Sequence, residues 1–288
     1  AVAAWLAELP ARPLRALAAA PRMHCLRSWD VNYPGSHAAQ VKGGVVGGAL
    51  VQGTLRAGDV VEIRPGCFTE QVLVDKRGVR CTQHHFSMEP LLTRVLRTQS
   101  GERELACVGP GGLVGLATAL CPTLSAEDRL QGCVIGRPGT LPPVWELLSL
   151  SPVVAVRDAS EALETGRGDP DRSDEEDGKD DDAARLDLLK VGGEVRLHAG
   201  SASVLATVKK WHPKRSRLVV ALHRPLCADL QSSIAVEARF GEAYRLTAHA
   251  RIAAGTQCEV LQPDLPRGQP SSPLPHRGVE ASGGPEFA

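Results

Sequence analysis

Aromatic residues are scarce in this chain: Phe, Trp and Tyr make up 3% of its 288 residues. Any core must therefore be built from Val, Leu, Ile and Ala. No run of about 18 apolar residues occurs, which excludes a membrane-spanning helix. The eight cysteines, at 25, 67, 81, 107, 121, 133, 227 and 258, form no Cys-x-x-Cys pair, so a zinc knuckle has no support. Their scatter fits small buried hydrophobes in a reducing compartment. The formal net charge is zero, so a case for nucleic-acid binding must be local. None of the seven lysines precedes Ser or Thr, which removes the phosphate-binding Walker loop. The only asparagine, Asn32, is followed by Tyr33, so the guanine-reading Asn-Lys-x-Asp is absent as well. Ser28 with Asp30, and Ser201 with Ser203, lack a Gly-x-Ser-x-Gly elbow or a matched His, so no nucleophilic triad is expected.

What is present is a rhythm of short Val/Leu/Ile runs broken by Gly and Pro, from Met23 to about Pro143. Such punctuation predicts an antiparallel barrel. Gly58-Asp59 and Pro65-Gly66 are expected to be turns flanking a strand at Val60–Arg64. The run Lys42–Gly48 (KGGVVGG) invites a phosphate-cradle reading, but a cradle feeds a helix. Strand-like residues follow here, so a glycine-rich β-turn is expected. The pattern Asp75-x-x-Gly78 is too short to carry weight. His84, His85 and Glu89 are read as a surface loop, since adjacent histidines on a strand face opposite ways. After a strand-like Trp145–Val156 the composition changes: Asp169–Asp182 holds nine Asp/Glu and two basic residues. This predicts a disordered acidic loop, because so little apolar surface cannot offset the ordering entropy. Strand-like runs resume from Gly193. Lys209, Lys210, Lys214, Arg215 and Arg217 form the most basic patch, either a solvated hairpin turn or an RNA contact. From Gln262 a Pro/Gly/Ser-rich tail follows.

Several phrases, in order, resemble the γ subunit of eukaryotic and archaeal translation initiation factor 2, a member of the translational GTPase family. Leu26–Gly35 (LRSWDVNYPG) is similar to its I-R-S-F-D-V-N-K-P-G, Lys42–Gly48 to K-G-G-V-A-G-G, and Ile63–Cys67 to V-R-P-G-I. Gly109–Thr118 resembles A-P-G-G-L-I-G-V-G-T, Cys121–Arg129 resembles D-P-T-L-C-R-A-D-R, and Gly132–Pro142 resembles G-x-V-L-G-x-x-G-x-L-P. More diverged phrases follow at His198–Ser203, Arg224–Cys227 and Tyr244–Ile252. The family's K-I-A-L-S-R-R falls on Ser233–Arg239, where Glu237 and Ala238 replace a Ser and an Arg and Arg239 remains.

The resemblance implies an all-β fold of two antiparallel β-barrels, equivalent to domains II and III of elongation-factor-like proteins, with a short N-terminal helix remnant and a disordered C-terminal tail. The implied division is 1–22 for the end of the last G-domain helix and its linker, 23–143 for the first barrel, 144–261 for the second with an acidic insertion at about 164–184, and 262–288 for the tail. A truncated G domain is the expected account of the start, with a shortened paralogue as the alternative.

In the intact family protein, GTP and Mg bind the G domain, and the protein carries initiator Met-tRNA to the small ribosomal subunit. The first barrel docks the α subunit, while the β-subunit contact goes with the G domain. This cytoplasmic chain is expected to bind no cofactor and no membrane. Its tRNA contacts are expected at Lys42, Gly43, Gly44, Arg64, Gly111 and Gly112 in the first barrel, and at Arg215 and Arg239 in the second. The alternative function is a catalytically inert protein-interaction module. The chain alone is expected neither to bind nor to hydrolyse GTP. Titration with a fluorescent GTP analogue and magnesium checks this, and tight magnesium-dependent binding would refute it.

Overall fold

A computed structural model describes residues 16–71, 85–156 and 186–261. The expected helix end before residue 16, the motif at 75–78, His84, Cys81, the acidic insertion at 164–184 and the tail at 262–288 lie outside the described residues. Among those described, no helix is long and apolar enough to cross a membrane.

The first half contains β1 (Arg22–Trp29), β2 (Val45–Gln52), β3 (Leu55–Arg56), β4 (Val60–Gln71), β5 (His85–Ser100), β6 (Arg103–Leu105), β7 (Cys107–Val108), β8 (Val114–Thr118) and β9 (Val134–Gly136). One short helix, α1 (Pro122–Ser125), lies between β8 and β9. Six of the strands close a barrel in the order β5-β4-β9-β1-β2-β8, with β8 returning to β5 through pairs from Val95↔Thr118 to Gln99↔Gly115. Alternating burial along these strands sends Met23, Cys25, Val46, Leu50, Ile63, Leu116 and Ile135 inward, as a period of two requires.

The second half contains β10 (Val144–Ala155), β11 (Glu194–Ala199), β12 (Ala202–His212), β13 (Arg217–Cys227), β14 (Ser233–Phe240), β15 (Ala243–Gln257) and β16 (Glu259–Val260). Here the closed order is β10-β13-β12-β11-β14-β15, antiparallel throughout. Leu148, Leu150, Leu197, Leu218, Val220, Val236 and Ile252 fill it. The fold is thus two closed six-stranded antiparallel β-barrels.

Three local expectations are corrected. Pro65-Gly66 does not end a strand, because β4 continues to Gln71. Gly66 sits with φ +74 where the β4–β5 register slips between Ile63 and Cys67, and a Cβ there would press on backbone atoms of Glu89 and Leu91. The glycine makes a bulge inside the ladder instead of a turn. In KGGVVGG, Gly47 and Gly48 are strand residues of β2, not turn residues. A Cβ on Gly48 would collide with the His24 carbonyl of β1, so the glycine permits close strand approach. His85 opens β5 and does not lie in a loop.

The cysteines divide. Burial pushes the thiols of Cys25, Cys227 and Cys258 up to about 12 and that of Cys133 up to about 11. Cys67, Cys107 and Cys121 are exposed, against the expectation of general burial, and all the described cysteines are free.

The barrels meet through an apolar seam of Phe86, Met88 and Val134 from the first, Val144, Cys227 and Cys258 from the second, and Leu141 between them. Polar ties flank it. The buried Glu146 carboxylate of β10 accepts the Phe86 backbone N–H at 3.1 Å and faces His85 Nδ1 at 3.1 Å. Arg22 pairs with Asp229, and β16 adds a parallel pairing to β5 at Ser87 and Met88.

Substituting Gly48→Ala is expected to cost about 3 kcal/mol or more, since the new methyl would have to displace the His24 backbone carbonyl. Gly115→Ala should stay within about 0.5 kcal/mol, because the nearest atom to its Cβ would be 3.9 Å away. Chemical denaturation of both variants checks the pair.

Candidate functional site: an apolar groove on the first barrel

The outward faces of β1, β2, β8 and β5 do not all carry polar residues. Leu26 and Trp29 of β1, Val45 and Gly47 of β2, Gly115 and Ala117 of β8 and Leu96 of β5 line a groove of about 770 Å³, with Val31, Val41 and Leu113 at its margins. The floor is low because Gly47 and Gly115 have no side chains. A Cβ on Gly47 would lie 2.9 Å from the Trp29 ring, so the indole rests on bare backbone. Trp29 stays 40% exposed and Leu113 66% exposed. This apolar surface is unusual on a polar rim and is the form a binding cleft takes.

The rim carries Arg27, Lys42 and Arg97 against the single carboxylate Glu104. Glu104 lies 4.0 Å from Arg97. Arg27 Nε donates to Asp128 at 2.9 Å, and Asp128 also accepts the Ser28 N–H at 2.8 Å. Those hydrogen bonds, the Ser28 amide first, hold the Asp128 carboxyl below its usual range.

The approach to β2 is fixed by the one asparagine in the chain. Asn32 Oδ1 accepts the Lys42 N–H at 2.7 Å, and its Nδ2 donates to the Lys42 carbonyl at 2.8 Å. Gly43 then passes so close to the Thr118 carbonyl that no Cβ fits. Gly44 N–H donates to Leu120 O at 3.0 Å, and Thr118 Oγ1 donates back to Gly44 O at 2.7 Å. From α1, Ser125 Oγ donates to the Trp29 carbonyl at 3.1 Å. The backbone beneath the groove is therefore rigid, while the Lys42 side chain is exposed.

The residues expected from sequence to act together do not all meet. Lys42 and Gly43 line the groove, Gly44 adjoins them, and Gly111 and Gly112 form an exposed turn of positive φ just before Leu113. Arg64 is elsewhere. Its Nε donates to Glu62 at 2.6 Å, and its Nη1 donates to the carbonyls of Leu141 (3.3 Å) and Pro142 (3.1 Å), so it braces the link between the barrels. Arg215 and Arg239 lie in the second barrel, at the β12–β13 turn and the end of β14. Sequence reasoning missed Trp29, Leu96, Arg97 and Leu113. The available signal was an aromatic and a leucine at outward positions of strands whose inward positions were already filled. No cluster of His, Cys, Asp and Glu suited to a metal occurs among the described residues.

Comparison with known proteins bears on what such a groove serves. The family described as initiation factor eIF2 gamma, C terminal, matches residues 176–252. Translation initiation factor 2 subunit gamma of Methanocaldococcus jannaschii is 30% identical over 241 residues, covering 83% of this chain and 51% of that protein. The protein of the same description from Halorubrum lacusprofundi is 36% identical over 225 residues, 78% of this chain and 47% of that protein. For Archaeoglobus fulgidus the match is 36% over 235 residues, 81% and 47%. The chain spans about half the length of the curated relatives it matches.

Replacing Asn32 by Ala removes both bonds that pin Lys42. Hydrogen exchange at the Lys42 amide is expected to speed up by at least about tenfold, while core amides such as Leu50 keep their protection.

Proposed function

The chain belongs to the translation initiation factor 2 γ family, and from that premise we propose that its first-barrel groove holds the aminoacylated 3′ end of initiator tRNA. The observation that carries this is the joint presence of an apolar trough, an exposed indole and a cationic rim in one rigid cleft. The trough suits a methionine side chain and the flat face of a terminal base. Stacking on an aromatic is worth about 1–3 kcal/mol per base, and the Lys42 ammonium and Arg97 guanidinium are placed for the neighbouring phosphates. Gly115 on the groove floor, where an added Cβ would meet nothing nearer than 3.9 Å, lets the ligand approach the backbone, and the Gly111-Gly112 turn leads into Leu113 at the groove margin.

In the intact factor this barrel pair acts beside a G domain that supplies GTP and Mg chemistry, delivers Met-tRNA to the small ribosomal subunit and works in the cytoplasm. The α subunit docks on the first barrel, and the β subunit binds the G domain. In this reading the barrels recognise, and the G domain hydrolyses GTP and times release.

Fluorescence anisotropy of labelled initiator tRNA with the 288-residue chain tests the groove. Methionylated tRNA is expected to bind about tenfold or more tighter than deacylated tRNA, a difference of about 1.4 kcal/mol or more. Trp29→Ala and Lys42→Ala should each erase most of that preference. Equal binding of both tRNAs, unchanged by Trp29→Ala, would overturn the reading in favour of a module that contacts only protein subunits.

A further inference from the structure

In the second barrel's closed order, every neighbour is antiparallel, so the β12–β13 and β14–β15 turns emerge at the same end. The opposite end faces the first barrel: the Gly200 turn abuts the His24 ring, and Asp229 pairs with Arg22. The end carrying the two turns therefore points away. The groove lies on the far side of the first barrel, because β2 and β8 stand across it from β4 and β9, the wall nearest the second barrel.

This distal end gathers Lys210, Lys214, Arg215, Arg217, Arg239 and Arg245. Among the described residues, no carboxylate lies within ion-pair distance of Lys210, Lys214, Arg215, Arg239 or Arg245. The nearby acids are largely engaged. Glu194 accepts the Tyr244 hydroxyl, and Glu237 pairs with Arg196 at 3.6 Å and His198 at 3.2 Å; Glu242 stands in the β14–β15 turn. Two flat pairs stand among the cations. Arg245 lies over the Phe240 ring at 4.3 Å, and Arg196 over the Tyr244 ring at 4.0 Å. Phe240 is 49% exposed. A guanidinium stacked on a ring keeps its N–H edge free for a phosphate, and an exposed ring offers a face to a base.

We infer that the distal end of the second barrel is a separate RNA-binding surface that takes an unpaired stretch, with its phosphates on the Lys/Arg side chains and a base on Phe240. Charge complementarity selects a polyanion, and the arginine–aromatic pairs select a nucleic acid over an acidic polypeptide. The surface is distinct from the groove, so its ligand is a second RNA segment, and the assignment stands whether or not the groove binds tRNA.

The test is anisotropy of a fluorescein-labelled, unstructured 20-nucleotide RNA with the full chain across a KCl series, since β10 ends and β11 begins at this end. Joint replacement of Lys210, Lys214, Arg215 and Arg239 by Gln should weaken binding at least tenfold at about 0.1 M salt. It should also flatten the slope of log K against log salt by about 2 to 3, at roughly 0.7 per phosphate contact. Phe240→Ala should weaken unpaired RNA severalfold, leave an RNA duplex unaffected, and keep the slope. The same losses are expected when the comparison is repeated in a Trp29→Ala/Lys42→Ala background, where the groove no longer contributes, which separates this surface from the groove. If the fourfold variant melts early, Arg215→Gln and Phe240→Ala carry the same comparison. An unchanged affinity and slope would overturn the inference. So would competition by polyglutamate as effective as RNA of equal charge, which would mark a site for acidic protein instead.

Discussion

Closure of the first barrel rests on backbone passing closer to backbone than a methyl group allows. At Gly48 the neighbour is the His24 carbonyl, at Gly43 the Thr118 carbonyl, and at Gly47 the indole of Trp29. β2 thus meets β1 at Gly48, and the segment leading into β2 meets β8 at Gly43, at distances no alanine permits. The same missing side chains that let the barrel close leave its outer wall hollow. The hollow is then walled by Trp29, Leu96 and Leu113, each of which stays at least 40% exposed. Stability and the groove are consequences of one constraint.

The two barrels are held at a fixed relation by different physics. Their seam combines an apolar cluster with a buried carboxylate, Glu146, whose oxygens are satisfied by the Phe86 amide and the His85 ring. A buried acceptor so paired is costly to separate from its partners, and β16 adds backbone bonds across the same seam. The arrangement presents the groove and the basic distal end on opposite extremes of one body, which suits contact with an extended ligand or with two different ones.

Much of the fold was legible in residue order. Alternating Val, Leu and Ile with Gly and Pro at short intervals specifies short antiparallel strands, and the near absence of helical periodicity from Met23 onward leaves a barrel as the way to hide strand edges. Local roles of glycine were less legible. Gly47 and Gly48 read as a turn because glycine in a strand interior is normally a weakness. Only the position of β1 reveals why glycine is required there. Pro65-Gly66 misled for a related reason: a bulge and a turn use the same residues, and the partner strand decides between them.

The sequence by itself determined the family, the all-β architecture and the lack of Walker and Asn-Lys-x-Asp motifs in these 288 residues, because those depend on periodicity and on contiguous motifs. The tertiary structure alone decided which residues share a site. Leu26, Trp29, Lys42, Leu96, Arg97 and Leu113 come from separate strands and loops and meet only through barrel closure. Arg64, a basic residue beside a glycine in a family phrase, proves to spend its guanidinium on Glu62 and the linker carbonyls. Charge and spacing say what a side chain is able to bind, whereas burial and neighbours decide whether it is still free to do so.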